Sequence, residues 1–252
     1  MANCEAKSGA KINASLWPPS AQIGYAKVEE DACHETVYGL QVGIYNDFQN
    51  ALRGLQIGLF NRGEDVEGLA IGAVNAHERI TGMHVGLWNY AKKEAKTVGV
   101  GLVNESDGDL IGGHIGLYNH AREIMKGFQF AILNAAGTNN RKNHNIAMNG
   151  FQVGLVNRSE RLMEGFQLGI VNGAEFTMTG FQIAGVNIAG GTFVGGMHDG
   201  LHLGVFNYAA HMNAGTVGII NFSEQCKYFT PLIGASCLFG PAERGWFTVI
   251  SE

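Results

Sequence analysis

The chain has 252 residues, 46% of them hydrophobic, with 17 basic against 22 acidic side chains and a formal net charge of -5. Such a length can bury the core of one large all-β domain or of two ordinary ones, and the acidic balance excludes the basic footprint of a nucleic-acid binder. Glycine is abundant at 37 residues while proline is scarce at 4, so glycine is positional here and does not mark a collagen or a linker.

Residues 1–36 are predicted to form an N-terminal cap. Their start, MANCEAKSGAKINASLWPPS, lacks the apolar run of a signal peptide, as expected of a cytoplasmic chain or of the mature form of an exported one. Cys4 and Cys33 lie in this segment, and Cys226 and Cys237 lie in residues 222–252, predicted to be the C-terminal cap. One pair at each end suits stapled caps, Cys4 with Cys33 and Cys226 with Cys237, as it also suits four reduced thiols.

Between the caps, over residues 37–221, one octet recurs: GLQVGIYN at 39–46, GLQIGLFN at 54–61, GFQVGLVN at 150–157, GFQLGIVN at 165–172. Its closing asparagines are Asn46, Asn61, Asn75, Asn89, Asn104, Asn119, Asn134, Asn157, Asn172, Asn187, Asn207 and Asn221. They follow one another at 14 or 15 residues, except for two longer steps that mark insertions near 135–149 and 188–199. So short a period predicts a β-solenoid of about 12 coils, in which like residues stack and the asparagines form a ladder. An up-and-down β-barrel is the competing geometry, but uniform gaps favour parallel stacking, because antiparallel neighbours would put matching asparagines at opposite rims.

Read as one straight strand, the octet has two faces. Positions two, four and six are aliphatic or Phe, as in Leu40/Val42/Ile44 and Phe151/Val153/Leu155, and are expected to be the core. Leu155→Asp should then unfold the chain, at a cost of several kcal/mol, and Asn104→Ala should cost roughly 1–3 kcal/mol for a lost buried hydrogen bond. Positions three, five and seven pair Gln or His with glycine and often a ring. The resulting candidate binding face comprises Gln41, Tyr45, Gln56, Phe60, His84, Trp88, His114, Tyr118, His202 and Phe206. Amides that bond beside rings that stack would suit a glycan or another extended polymer; the reading preferred from the glycines is that the same face packs a second layer or a second subunit.

The gaps carry the charge, as in RGEDVE (62–67), AKKEAK (91–96) and HAREIMK (120–126). Each also holds an apolar residue five or six places after its asparagine: Leu52, Val66, Ile80, Leu110, Met125, Met163, Met178. A short second strand with one inward side chain is predicted there. From Phe176 to Ser223 the only acidic or basic side chain is Asp199. This low-charge stretch, with Val194, Met197 and Met212, is expected to self-associate unless residues 222–252 cover it.

The octets resemble those of bacterial surface-repeat proteins, a family with GLQIGLxN-like repeats first described in spirochaetes. The likeness spans residues 37–234 and takes in SLWPPSAQIGY (15–25) and VGIINFSEQCKYFTPLIG (217–234). It implies an exported bacterial protein at the envelope or outside the cell, with no established activity. The residues themselves point to no catalysis. GVGLVN (99–104) and GGHIGLYN (112–119) lack the βαβ setting of a dinucleotide site, and GASC (234–237) lacks serine-hydrolase spacing. His198, Asp199, His202 and His211 are the nearest approach to a metal cluster, but His for Gln in a polar stripe explains His202 without one. Neither cofactor nor metal is expected, and a polysaccharide-active β-helix enzyme or a membrane-associated barrel is the alternative to a scaffold or binding module.

Overall fold

A computed structural model describes residues 9–16, 19–29, 34–137, 146–175, 178–189, 197–209, 211–212, 215–223 and 228–234. All four cysteines and Val194 lie outside them. Every described element is a strand, and the chain divides into two units, Met1–Lys142 and Asn143–Glu252.

In the first unit β1 (Gly9–Leu16) and β2 (Pro19–Glu29) form an antiparallel hairpin. Strand β2 also pairs antiparallel with the start of β3 (His34–Ile71), Gln22 facing Gln41. The direction then changes. Strands β4 (Val74–Val85), β5 (Trp88–Ala91), β6 (Ala95–Val100), β7 (Val103–Ser106), β8 (Leu110–Ile115), β9 (Tyr118–Ala121), β10 (Met125–Phe130) and β11 (Leu133–Ala136) belong to parallel coils. Asn61 stands over Asn75, Asn89 over Asn104 and Asn104 over Asn119. Parallel, in-register stacking is what a solenoid requires and what an up-and-down barrel forbids.

The second unit repeats this plan in β12 (Ile146–Val153), β13 (Val156–Ser159), β14 (Leu162–Leu168), β15 (Val171–Ala174), β16 (Met178–Ala189), β17 (Met197–Ala209), β18 (His211–Met212) and β19 (Gly215–Ser223). Asn157, Asn172, Asn187, Asn207 and Asn221 stack in succession. Register holds on both sides of the second insertion, Met178 facing His198 and Asn187 facing Asn207. Strand β20 (Tyr228–Gly234) then pairs antiparallel with β19. Each unit thus has an antiparallel strand on one outer coil, which takes up hydrogen-bonding groups that would otherwise offer a template to another chain.

One feature of the octet differs from the straight-strand expectation. A corner falls at positions five and six, as at Gly101–Leu102 between β6 and β7 and at Gly116–Leu117 between β8 and β9. Alternation restarts after the corner, and the faces exchange. Ala95, Thr97 and Gly99 point in before it, whereas Asn104 and Ser106 point in after it. Position three and position eight, which a straight strand would place on opposite faces, therefore both enter the interior.

The interior is narrow and half polar. Each coil typically sends in four side chains: the Gln or His of position three, the Asn of position eight, a small residue two places on, and the apolar gap residue. The gap residues Leu52, Val66, Ile80, Leu110, Met125, Met163 and Met178 are buried, as expected. The aliphatic octet face is not: Leu155 is 48% exposed, Leu59 54% and Ile219 61%. The expectation that this face is the core, and with it the unfolding expected of Leu155→Asp, is corrected here, because the corner turns these positions outward.

Candidate functional site

The asparagine ladder is continuous within each unit. Nδ2 of Asn46, Asn61, Asn75, Asn89, Asn104 and Asn119 donates to Oδ1 of the next asparagine at 2.7–3.1 Å. Asn157, Asn172, Asn187 and Asn207 do the same at 2.7–3.2 Å. The second proton of each amide goes to a backbone carbonyl of the next coil, such as Ile115 O for Asn104. A buried amide so satisfied costs little to desolvate.

Position-five glycine is what admits this ladder. A Cβ at Gly101 would lie 2.4 Å from Gly86 O and 2.7 Å from Asn89 Nδ2, and one at Gly58 would lie 2.5 Å from Asn46 Nδ2. Two octets carry alanine instead, Ala131 and Ala184. Their rungs, Asn119–Asn134 at 3.1 Å and Asn172–Asn187 at 3.2 Å, are the longest of their units.

Position three forms a second ladder of opposite sense. Gln56 Nε2 donates back to Gln41 Oε1 at 2.9 Å, Gln167 to Gln152 at 2.8 Å and Gln182 to Gln167 at 2.7 Å. In the third coil this position is Ala70, and the vacated volume is filled by His77, at a place where Ala91 and Ala121 stand in later coils. His77 Nε2 lies 2.8 Å from Gln56 Oε1, and its Nδ1 lies 3.2 Å from His84 Nε2. Since the glutamine oxygen only accepts, Nε2 of both imidazoles carries the proton and the chain of bonds runs from His84 through His77 and Gln56 to Gln41. Farther along the column Gly99 leaves room for His114, to whose Cδ2 a Cβ at 99 would approach within 3.0 Å.

Burial sets the charge state of these rings. Desolvation lowers the His77 pKa to about 4 and that of His114 to about 3, and it pushes His84 well below its usual value, with the neighbouring imidazoles adding to the shift. All three are neutral structural groups at pH 7.

The ten residues of the expected binding face therefore separate. Gln41, Gln56, His84, His114 and His202 are buried inside the coils, while Phe60, Trp88 and Phe206 are exposed and Tyr45 and Tyr118 half-exposed. No amide stands beside a ring at the surface of these octets, so the groove expected for a glycan does not form. His202 is interior, and the side chains of His198, Asp199 and His211 lie outside the described set.

What the octets do present is an apolar surface. Among the described residues, every exposed large hydrophobic side chain except Ile111, Ile188 and Phe222 sits at an octet position. Position four contributes Val42, Ile57, Ile71 and Ile115; position six contributes Ile44, Leu59, Leu87, Leu102 and Leu117; position seven adds the rings. The gap side is charged and pairs largely with itself from coil to coil: Arg53 with Glu67 at 2.8 Å, Arg79 with Asp65 at 2.6 Å, Arg122 with Asp107 at 2.9 Å. The sequence reading missed this surface, although its signal was present in the opposite parity of the recurrent Gln and Asn.

The geometry defines a two-sided β-solenoid with an amide-laddered interior. No protein-family model, curated protein or solved structure matches the chain.

Proposed function

We propose that this chain is a non-enzymatic scaffold or binding module that works through the apolar outward columns of its octets. The observation that carries the reading is the inversion of the coil, with amides inside and Leu, Ile, Val and aromatic columns outside. Soluble monomers seldom leave contiguous apolar patches beyond a few hundred Å² unless something binds there. Positions four, six and seven hold no carboxylate, imidazole or thiol in any octet, which leaves acid–base or nucleophilic chemistry without its groups in those columns. Because the amides are buried, an apolar protein surface fits these columns better than a glycan does. A place at the bacterial envelope or outside the cell rests on the resemblance of the octets to bacterial surface repeats. The low charge of residues 176–223 extends the same apolar character beyond the octets and supports association through that region.

A photo-crosslinking amino acid placed at Leu102, and in a separate variant at Lys93 on the charged side, tests the reading in cells making the protein. Adducts of defined mass are expected from position 102 and not from 93. Adducts from 93 alone, or from neither, would overturn it.

A further inference from the structure

Along the first unit, position seven alternates between rings and smaller side chains: Phe60, Val74, Trp88, Val103, Tyr118. Each step from ring to ring spans two strand spacings, roughly 9.6 Å, with a valine between. The two steps differ in the next outward row, two residues on. Over Val74 that row reads Arg62, Ala76, Tyr90, whereas over Val103 it reads Tyr90, Glu105, His120. On the single wall formed by β5, β7 and β9, one carboxylate therefore stands among four rings.

The rings pair along their strands, Trp88 with Tyr90 at 6.4 Å between centroids and Tyr118 with His120 at 5.9 Å. Trp88, 45% exposed, donates its indole N–H to Glu105 Oε2 at 3.3 Å. Neighbouring charges are engaged elsewhere: Asp107 takes the Tyr90 hydroxyl at 2.6 Å and Arg122 at 2.9 Å, and Lys92 reaches Glu78 at 3.1 Å. Among the described residues no cation pairs with Glu105.

We propose that this wall binds a small organic cation of the trimethylammonium class, seated over Val103 and Glu105 between the Trp88–Tyr90 and Tyr118–His120 ring pairs. The inference goes beyond the apolar contact proposed above and does not depend on it. A cation is drawn to a ring face within about 6 Å of the centroid, and a group over the middle strand lies roughly 4.8 Å from the strand on either side. Since the indole touches the Glu105 carboxylate, both attractions act at one place. Burial, and then the Arg122 charge, lower the His120 pKa below its usual value, so its ring is neutral at pH 7 and does not repel the ligand.

The hydrogen-bond inventory selects the kind of cation. A lysine ammonium brings three N–H donors and a guanidinium five, more than one carboxylate already holding an indole N–H can satisfy. A trimethylammonium group brings none and asks only for ring faces and a counter-charge. Its size fits as well. The row that holds Glu105 continues into Ala76 on one side and Ala135 on the other, so the ring-lined stretch ends after three coils, enough for one small ion and too short for a polymer.

The test titrates choline chloride into the purified full-length chain, read by isothermal calorimetry and by the Trp88 indole N–H resonance, assigned with Trp88→Phe. A saturable shift is expected, and the neutral tert-butyl isostere of choline should bind roughly tenfold more weakly. Glu105→Gln and Tyr118→Leu should each weaken choline binding by roughly tenfold with an unchanged circular-dichroism spectrum, and Lys93→Ala should leave it as in the wild type. Should either substitution disturb folding, the Trp88 resonance of the wild type, with choline against its isostere, still decides. A wild type without a saturable shift overturns the inference, as does equal binding of the isostere or choline binding that survives both substitutions. Flotation with phosphatidylcholine but not phosphatidylglycerol vesicles, without binding of free choline, would also overturn it by assigning the rings to a lipid surface. None of these results alters the crosslinking expected at Leu102, which tests the proposed function separately.

Discussion

Removing one rung of the asparagine ladder should cost more than placing a charge on a neighbouring leucine. Asn104 accepts from Asn89 at 2.8 Å, donates to Asn119 at 2.9 Å and donates to Ile115 O at 3.0 Å. In Asn104→Ala, Asn89 Nδ2 retains Val100 O and Ile115 O retains the Gly101 N–H, but the Asn89–Asn119 continuity is lost. Two buried amide groups are each left short of a partner at about 1–3 kcal/mol, and the missing amide leaves a small cavity. The expected loss is about 3–5 kcal/mol, above the 1–3 expected for a single bond. Leu102, two residues away, is 48% exposed, so Leu102→Lys should change stability by no more than about 0.5 kcal/mol. Urea unfolding at about 1 μM protein, where mass action from association contributes little, reads both. A Leu102→Lys variant that loses several kcal/mol while Asn104→Ala stays near wild type would refute the inside-out packing.

Leu155→Asp should likewise leave the melting temperature nearly unchanged, the reverse of what a straight octet strand requires. Stability should fall on acidification because His77, His84 and His114 have folded pKa values below that of the unfolded chain, near 6.5. It is therefore fully present above pH 6.5 and declines below it, toward about pH 4 for His77 and about pH 3 for His114, by about 1.4 kcal/mol per pH unit for each of these two rings, and His77→Gln/His84→Gln/His114→Gln should flatten the slope in urea titrations. His77→Ala should destabilise by about 2–3 kcal/mol through a cavity and an orphaned Gln56 oxygen. Ala70→Gln should restore most of that loss, and a double-mutant cycle showing additivity would count against the shared volume. Gly101→Ala should cost about 1–3 kcal/mol, since its Cβ crowds Gly86 O and the Asn89 amide, as differential scanning calorimetry would show.

The period of the asparagines and the uniform gaps carried the solenoid, the ladder and the inward gap residues such as Leu110 and Met163 directly into view, because stacking makes like residues recur at the coil length. The orientation of the octet was not legible in the same way. Hydrophobic alternation is a reliable guide only along a straight strand, and the corner at Gly101–Leu102 shifts the parity by one, which moves a whole set of side chains to the other face. The usual preference for aliphatic interiors then reinforced the wrong face. What defeats that preference is the stack itself: an amide bonded to its own copies above and below loses little on burial, so Gln56 can be 0% exposed while Leu59 faces out. The exchange of volume between Ala70 and His77 was hidden for another reason, as it joins residues seven apart that meet only once the coil has closed.

The most direct test of the central claim is hydrogen exchange of the side-chain amides of Asn89, Asn104 and Asn119, followed by NMR. Packing with amides inside predicts that these NH₂ protons are protected as long as the backbone amides of β7 and β9. Exchange at the rate of free asparagine, with protected backbone, would contradict it.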